Sequence, residues 1–280
     1  MSHLLLLALA AWLGATLWFT TTLTLVNLVD RGARPRLTRA AVARVFREWA
    51  AHAALPLLLA PGLRREGPVR LVGPPRGRVP VLLAHGYTMN WSPFSLLAAW
   101  LRRRGWQAVW AVNHRPAGAP IPAMAHALGQ RVDELRAATG AAQVDIVAHS
   151  MGGVIAGWYV NHLDGAPKVR RIVTLGTPWA GTRTHVLTIG REARDLDPAG
   201  PVIAGLRPPK VPVASIWSPQ DQIICPSASC ALPEGQSICV PDVGHVEMLL
   251  HPQIWRLVGA ALAAPEPPAP GAPPPAWPPP

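Results

Sequence analysis

The chain has 280 residues, half of them hydrophobic and 15% charged, with 26 basic against 15 acidic side chains and a formal net charge of +11. That length accommodates one large α/β core or two small domains, and so basic a balance suits either nucleic acid or an anionic membrane surface. The arginines are densest between Arg31 and Arg47, directly after an apolar run, and no zinc-finger spacing, helix-turn-helix signal or aromatic-basic RNA motif accompanies them, which argues against a nucleic-acid footprint.

Leu4 to Val29 carries no charge and its roughly 26 residues are enough to cross a hydrocarbon core about 30 Å thick. Only His3 offers positive charge before the run, which is too long for a cleavable signal peptide, so residues 1–30 are expected to be an uncleaved transmembrane anchor. Thr20, Thr21, Thr22 and Thr24 are tolerable there because hydroxyls bond back to helix carbonyls. Arg31, Arg34, Arg36, Arg39, Arg44 and Arg47 follow, and the positive-inside rule places them in the cytoplasm. A second apolar stretch, Trp49–Leu63, contains His52 and Pro56 and is short for a span. If it lies in the interface, the domain beyond it is cytoplasmic; if it crosses as half of a hairpin, that domain is periplasmic or external. Gly, Pro and Arg dominate Gly62–Gly77, a linker composition that closes a juxtamembrane region over 31–78.

Residues 79–264 alternate strand-like and helix-like segments. Val79–Ala84, Gln107–Val112, Val144–Ala148, Arg171–Leu175, Val211–Trp217 and Ser237–Val240 read as strands. Phe94–Arg104, Ala123–Ala138, Val154–Val160 and Ile254–Ala264 read as helices. This alternation predicts an α/β fold, a mostly parallel sheet with helices on both faces. Pro265–Pro280 is dominated by proline and is expected to be a disordered tail. Cys225, Cys230 and Cys239 show no C-x-x-C spacing, which argues against zinc. They read as reduced thiols or, if Glu234-Gly235 forms a hairpin turn, as a Cys230–Cys239 disulfide in an oxidising compartment.

The chemistry centres on V-D-I-V-A-H-S-M-G-G, Val144–Gly153. An apolar strand there runs through Ser150 into an apolar helix, with Gly152 keeping the turn slim and Ala148 standing where a glycine is more usual. A serine needs a base to take its proton and a third group to hold that base. Of His162, His185, His245 and His251, His245 lies on the loop between the last strand and the final helix, from which a base reaches back over the sheet. Asp221, on the loop after Val211–Trp217, is the candidate acid; Asp195, Asp197, Asp242 and Glu247 compete with it. Asp242 reads better as a turn former, and Asp145, inside a strand, as structural. An oxyanion would be held by the amides of Met151, after the serine, and Tyr87, in V-L-L-A-H-G-Y. His85 reads as a buried polar residue that stiffens this loop. No metal or organic cofactor is implied.

L-A-H-G-Y, A-H-S-M-G-G, L-G-T-P-W-A-G-T, S-P-Q-D-Q-I-I-C-P and V-G-H-V-E-M-L occur in that order. Together, over about Val79 to Ala264, they resemble bacterial lipases and esterases of the α/β-hydrolase superfamily, particularly the A-x-S-x-G lipases. The resemblance implies the α/β-hydrolase fold, carboxylic ester hydrolysis through an acyl-enzyme, and Ser150, Asp221 and His245 as the triad. Many relatives carry His where Trp179 stands, which bears on the acyl or alcohol pocket. Trp179–Pro209 and Arg115–Pro122 are candidates for the pocket's rim. A membrane-anchored serine hydrolase acting on acyl esters or lipids at a bacterial inner membrane is the expected function. Thioesterase or acyltransferase chemistry on the same scaffold is one alternative, and an inactive membrane-tethered interaction protein another. The natural ester and the oligomeric state are open at this point.

Overall fold

A computed structural model of the chain describes residues 2–30, 32, 38–63, 77–206, 209–233 and 235–265. Arg31, Arg34, Arg36, most of the expected linker and all but Pro265 of the expected proline-rich tail lie outside the described residues.

The N-terminal segment forms α1 (Ser2–Asp30), α2 (Arg39–Ala53) and α3 (Leu55–Leu59). The rest alternates β1 (Val81–Ala84), α4 (Ser95–Arg103), β2 (Val109–Val112), α5 (Ile121–Thr139), β3 (Val144–His149), α6 (Met151–His162) and β4 (Val169–Leu175). Two short helices, α7 (Arg191–Arg194) and α8 (Pro201–Gly205), precede β5 (Val213–Trp217), β6 (Gln236–Cys239) and α9 (Pro252–Ala263). All neighbouring strands pair in parallel, in the order β2-β1-β3-β4-β5-β6. β1 and β5 begin later than the apolar pattern suggests because Pro80 and Pro212 stand before them. Proline has no N–H to give the ladder, and each only accepts, from Asp145 and Ile172 respectively.

Parallel strands are buried on both faces, and the side-chain alternation sorts them into two layers. Leu82, Ala84, Ile146 and Ala148 pack with α5 and α6 through Ile121, Leu128 and Ile155. Val81, Leu83, Val147 and Val173 pack with α4 and α9 through Leu97, Leu101, Ile254 and Val258. Asp145, completely buried inside β3, is neutralised by a bidentate bond from Arg170 at 2.9 and 2.5 Å, as its structural reading anticipated.

α1 is the one helix among the described residues long and apolar enough to cross a membrane. From Leu4 to Trp12 its side chains are exposed, while Thr16, Thr20, Leu23 and Asn27 form one buried stripe. The Trp49 indole donates to Leu13 O and the Trp12 indole to Ala53 O, which sets α2 antiparallel to α1. Trp49–Leu63 does not form one continuous helix. The helix stops at Ala53, the chain turns through Ala54, and Pro56 starts a new short helix. That helix is tied to the domain by Ser92 Oγ donating to Leu58 O at 2.6 Å and Asn90 Nδ2 to Leu59 O at 2.9 Å.

The cysteine hairpin is corrected. Glu234 lies outside the described residues, but the arm before it is not a strand: Cys230 ends a short 3-10 turn, and β6, which carries Cys239, pairs in parallel with β5 instead. Cys225, Cys230 and Cys239 are free thiols. Cys230 is fully buried at the end of a short 3-10 turn, where burial first and the Asp221 charge second push its thiol well above the usual range.

Candidate active site

The strand-to-helix turn between β3 and α6 places Ser150 at φ 54 and ψ −128, a left-handed region that non-glycine residues avoid. Three contacts hold it there. Ser150 N–H donates to Leu175 O at 2.8 Å, Thr177 Oγ donates to Ser150 O at 2.9 Å, and the backbone of Gly86 lies against the serine. A Cβ added to Gly86 would sit 2.9 Å from Ser150 Cβ. Met151 opens α6, so its N–H is one of those a helix leaves without an intrahelical partner.

Asp221 follows β5 and is completely buried. Its Oδ1 accepts from Ile223 N–H and Ile224 N–H, both at 2.9 Å, and its Oδ2 accepts from His245 Nδ1 at 2.6 Å. One oxygen is thus fixed by backbone and the other is aimed at the imidazole. That bond assigns the His245 proton to Nδ1 and leaves Nε2 as an acceptor. Gly176, at φ 57 just past β4, makes room for the pair: a Cβ there would lie 3.0 Å from Asp221 Oδ2 and 3.1 Å from His245 Nδ1. Burial opposes charge on His245, but the Asp221 carboxylate outweighs it and Glu48 adds to the effect, so its pKa lies above the ordinary histidine value.

His149, beside the serine, lies with its ring centroid 4.6 Å from that of His245. Its Nε2–H donates to His245 O at 3.1 Å, since a carbonyl can only accept. Burial and the neighbouring His245 charge hold its pKa well below the usual value. A neutral ring therefore braces the loop that carries His245.

The β1 exit is braced in a similar way, consistent with a stiffening role for His85. His85 Nδ1–H donates to Gly86 O at 2.8 Å, and its Nε2 accepts from His114 N–H at 3.2 Å. His114 Nε2–H in turn donates to His85 O at 2.7 Å. Burial lowers His85 to about 3, with His114 adding to the effect, and burial lowers His114 to about 4. Both are lower than in the unfolded chain, so neither costs stability above pH 6.5 and each does so as pH falls from there through the folded value. At pH 4 the loss is about 3 kcal/mol for each ring. Urea midpoints should therefore drop between pH 6.5 and 4, and His114→Gln, which retains a donor for His85 O, should flatten that slope. An unchanged slope in the variant would overturn the assignment.

Tyr87 follows on this loop. Its hydroxyl donates to Ile189 O and accepts from Ile189 N–H, tying the loop to the segment 183–189. A cavity of about 1080 Å³ opens here, lined among others by Tyr87, Met151, Met89, Arg115 and Glu192. Both expected rim segments thus contribute to its wall. Trp179 does not. It is buried in the core, its ring against Gly157 and its indole N–H donating to Ser215 Oγ at 3.3 Å.

The competing residues are engaged elsewhere. Asp195 accepts from Ile121 N–H at 2.6 Å, and Asp242 sits in a turn at φ 62 paired with Arg44. Glu247 pairs with Arg47, and His251 caps α9. His162 bonds Gly205 O at the far end of α6, and His185 bonds Thr182 O. Sequence reasoning missed His114, Gln222, Asn27 and Glu48. Only Glu48 carried a signal, as the sole acidic residue between Asp30 and Glu66, in a stretch full of arginine.

Residues 79–195 match a family described as the alpha/beta hydrolase fold. Among solved structures, the chain is similar to lipase BlEst2 of Bacillus licheniformis in its mature form, at 13% identity and a TM-score of 0.57, over 69% of this chain and 95% of that one. It is similar to Aspergillus fumigatus lipase B at 17% identity and a TM-score of 0.55, over 67% of this chain and 53% of that one, so it spans about half of that lipase's length. An alpha/beta hydrolase enzyme from the sediment metagenome of the Mar Chica lagoon in Morocco aligns at 19% identity and a TM-score of 0.51, over 70% of this chain and 94% of the other.

Proposed function

The chain has the α/β-hydrolase fold, and from that premise we propose that it is a membrane-anchored serine hydrolase of acyl esters, with Ser150 as nucleophile, His245 as base and Asp221 as the group that orients it. The observation that carries the reading is the buried 2.6 Å bond between His245 Nδ1 and Asp221 Oδ2, on the loops that follow the last two strands, beside a serine held in a strained strand-to-helix turn. His245 Nε2 takes the serine proton as Ser150 Oγ attacks the ester carbonyl. The negative oxygen is met by the amides of Tyr87 and Met151, and the alcohol leaves with the proton from His245. Water, activated by the same imidazole, then frees the acid and restores the serine.

The environment supports an acyl substrate. Val186, Leu187 and Ile189 are exposed on the segment bonded to Tyr87, and Arg183 on that segment pairs with Asp30 at the end of α1. An apolar rim thus lies beside the anchor. With α2 and α3 packed on the domain and α1 the one helix among the described residues long enough to span, a domain on the side of Arg39, Arg44 and Arg47, cytoplasmic by the positive-inside rule, is the reading this arrangement supports.

A fluorophosphonate probe should label the full-length protein at Ser150, as read from the modified peptide, and p-nitrophenyl esters should be hydrolysed. Because the base acts deprotonated and its pKa is raised, kcat/KM should climb through an acid limb lying above pH 6.5. Labelling at another residue, or none, would refute the assignment. A series of acyl chain lengths on the same leaving group would distinguish a lipid substrate from a short ester.

A further inference from the structure

The loops carrying Asp221 and His245 do not hold themselves. Glu48, in the third turn of α2 and only 2% exposed, lies behind both of them. Its Oε1 accepts from Val246 N–H at 2.9 Å and Gln222 Nε2 at 2.5 Å, and its Oε2 accepts from Glu247 N–H at 2.8 Å. Those three donors belong to the residue after Asp221 and the two residues after His245. Gly244 leaves the space, since a Cβ there would fall 2.2 Å from Glu48 Oε2. Asn27 on α1 makes the matching contact on the other loop, its amide donating to Asp221 O at 2.8 Å and Ile224 O at 3.0 Å.

A carboxylate buried this deeply costs several kcal/mol unless it is fully bonded. A packing contact alone would be served as well by leucine or methionine. A carboxylate that gathers three donors from two loops fixes the distance between those loops, and its charge favours the imidazolium that forms during acyl transfer. We propose that Glu48, assisted by Asn27, is a positioning residue for the Asp221–His245 pair, so that the N-terminal helices complete the active site as well as tethering it. This inference rests on the hydrolase reading above.

The charges around it are few. His245 is faced by Asp221 from the β5 loop, His149 from the end of β3 and Glu48 from α2. Glu48 itself meets His52 on its own helix, with Nδ1 3.3 Å from Oε1, and Glu247 on the His245 loop, whose carboxylate is paired with Arg47. Replacing Glu48 by glutamine removes the negative charge and turns an amide N–H₂ toward one of the three donors.

The test uses the full-length protein in detergent or vesicles, with kcat expressed per active site titrated by the fluorophosphonate. Glu48→Gln should lower kcat about 10- to 100-fold with KM nearly unchanged, and should move the acid limb of kcat/KM to lower pH. Glu48→Asp keeps the charge on a shorter arm, so it should return the limb to its wild-type position while kcat stays reduced. Asn27→Ala should lower kcat several-fold without moving the limb. A merely structural Glu48 would reduce the titratable fraction or the melting temperature and leave the limb and the kcat per site unchanged, and that result overturns the inference. If Glu48→Gln does not fold, wild-type kcat per site in both Glu48→Asp and Asn27→Ala overturns it equally. Absence of labelling in the wild-type protein would instead refute the hydrolase reading itself.

Discussion

Ser150→Ala is expected to lower kcat/KM for p-nitrophenyl esters by about 10⁶-fold and to abolish fluorophosphonate labelling, with an unchanged melting temperature. The loss is total for the covalent route because no second hydroxyl occupies the turn, and it is mild for the fold because the serine's structural bonds are made by its backbone, to Leu175 O and from Thr177 Oγ. Asp221→Asn should cost about 10⁴-fold, for a reason specific to this loop. Ile223 N–H and Ile224 N–H both require an acceptor at Oδ1, so the asparagine oxygen must take that place and its N–H₂ must face His245 Nδ1. The imidazole can then satisfy its neighbour only with the proton on Nε2, the nitrogen that has to receive the serine proton. Normal turnover in Ser150→Ala would end the assignment. Near-normal turnover in Asp221→Asn would show that another group sets the tautomer.

The parts of this architecture legible in the sequence were those fixed by local rules. Six apolar runs of strand length emerge as six strands, because a parallel sheet buries both faces and so writes continuous hydrophobic segments. Of the proposed triad, Asp221 and His245 were singled out by their position on loops after β5 and β6, and the structure brings those two within hydrogen-bonding distance. What stayed hidden depends on contacts far apart in the chain. Glu48 touches Val246 and Glu247 across 198 and 199 residues, and Asn27 touches Asp221 across 194. No periodicity encodes such a meeting. The second apolar stretch was ambiguous for the same reason: its composition allows a short span, and its bonds to the domain, from Asn90 and Ser92 to its carbonyls, leave no trace in that composition. The cysteine pairing failed because a hairpin needs a strand on each side of its turn, and the segment ending at Cys230 is a 3-10 turn while β6 finds its partner in β5. Trp179 stands in the core and not in the wall of the cavity beside Tyr87, a placement that a sequence motif does not specify.

Gly152→Ala is the second change expected to have a large effect, and helix propensity alone predicts the opposite. In the first turn of an ordinary helix, alanine for glycine is favourable by up to about 1 kcal/mol. Here the added methyl would lie 2.5 Å from His85 O and 2.6 Å from Ala84 O. Neither oxygen can swing aside as a side chain would. β1 is paired on both edges, with β2 and β3, and His85 O already accepts from His114 Nε2. The strain is therefore relieved by moving the start of α6, which carries the Met151 amide and borders Ser150. Overpacking of this kind costs about 1–3 kcal/mol in stability, exceeding the propensity gain. A displacement near 1 Å at the reacting atoms costs about 10²-fold in rate. Labelling by the fluorophosphonate should slow accordingly, and the urea midpoint should fall. Gly14→Ala is the control: it lies in α1 with nothing within 4 Å of the added methyl, so it should leave the labelling kinetics unchanged and raise the urea midpoint slightly if at all. Wild-type labelling kinetics in Gly152→Ala would mean that β1 yields to α6, and with it that the loop after β1 is less rigid than its paired histidines imply.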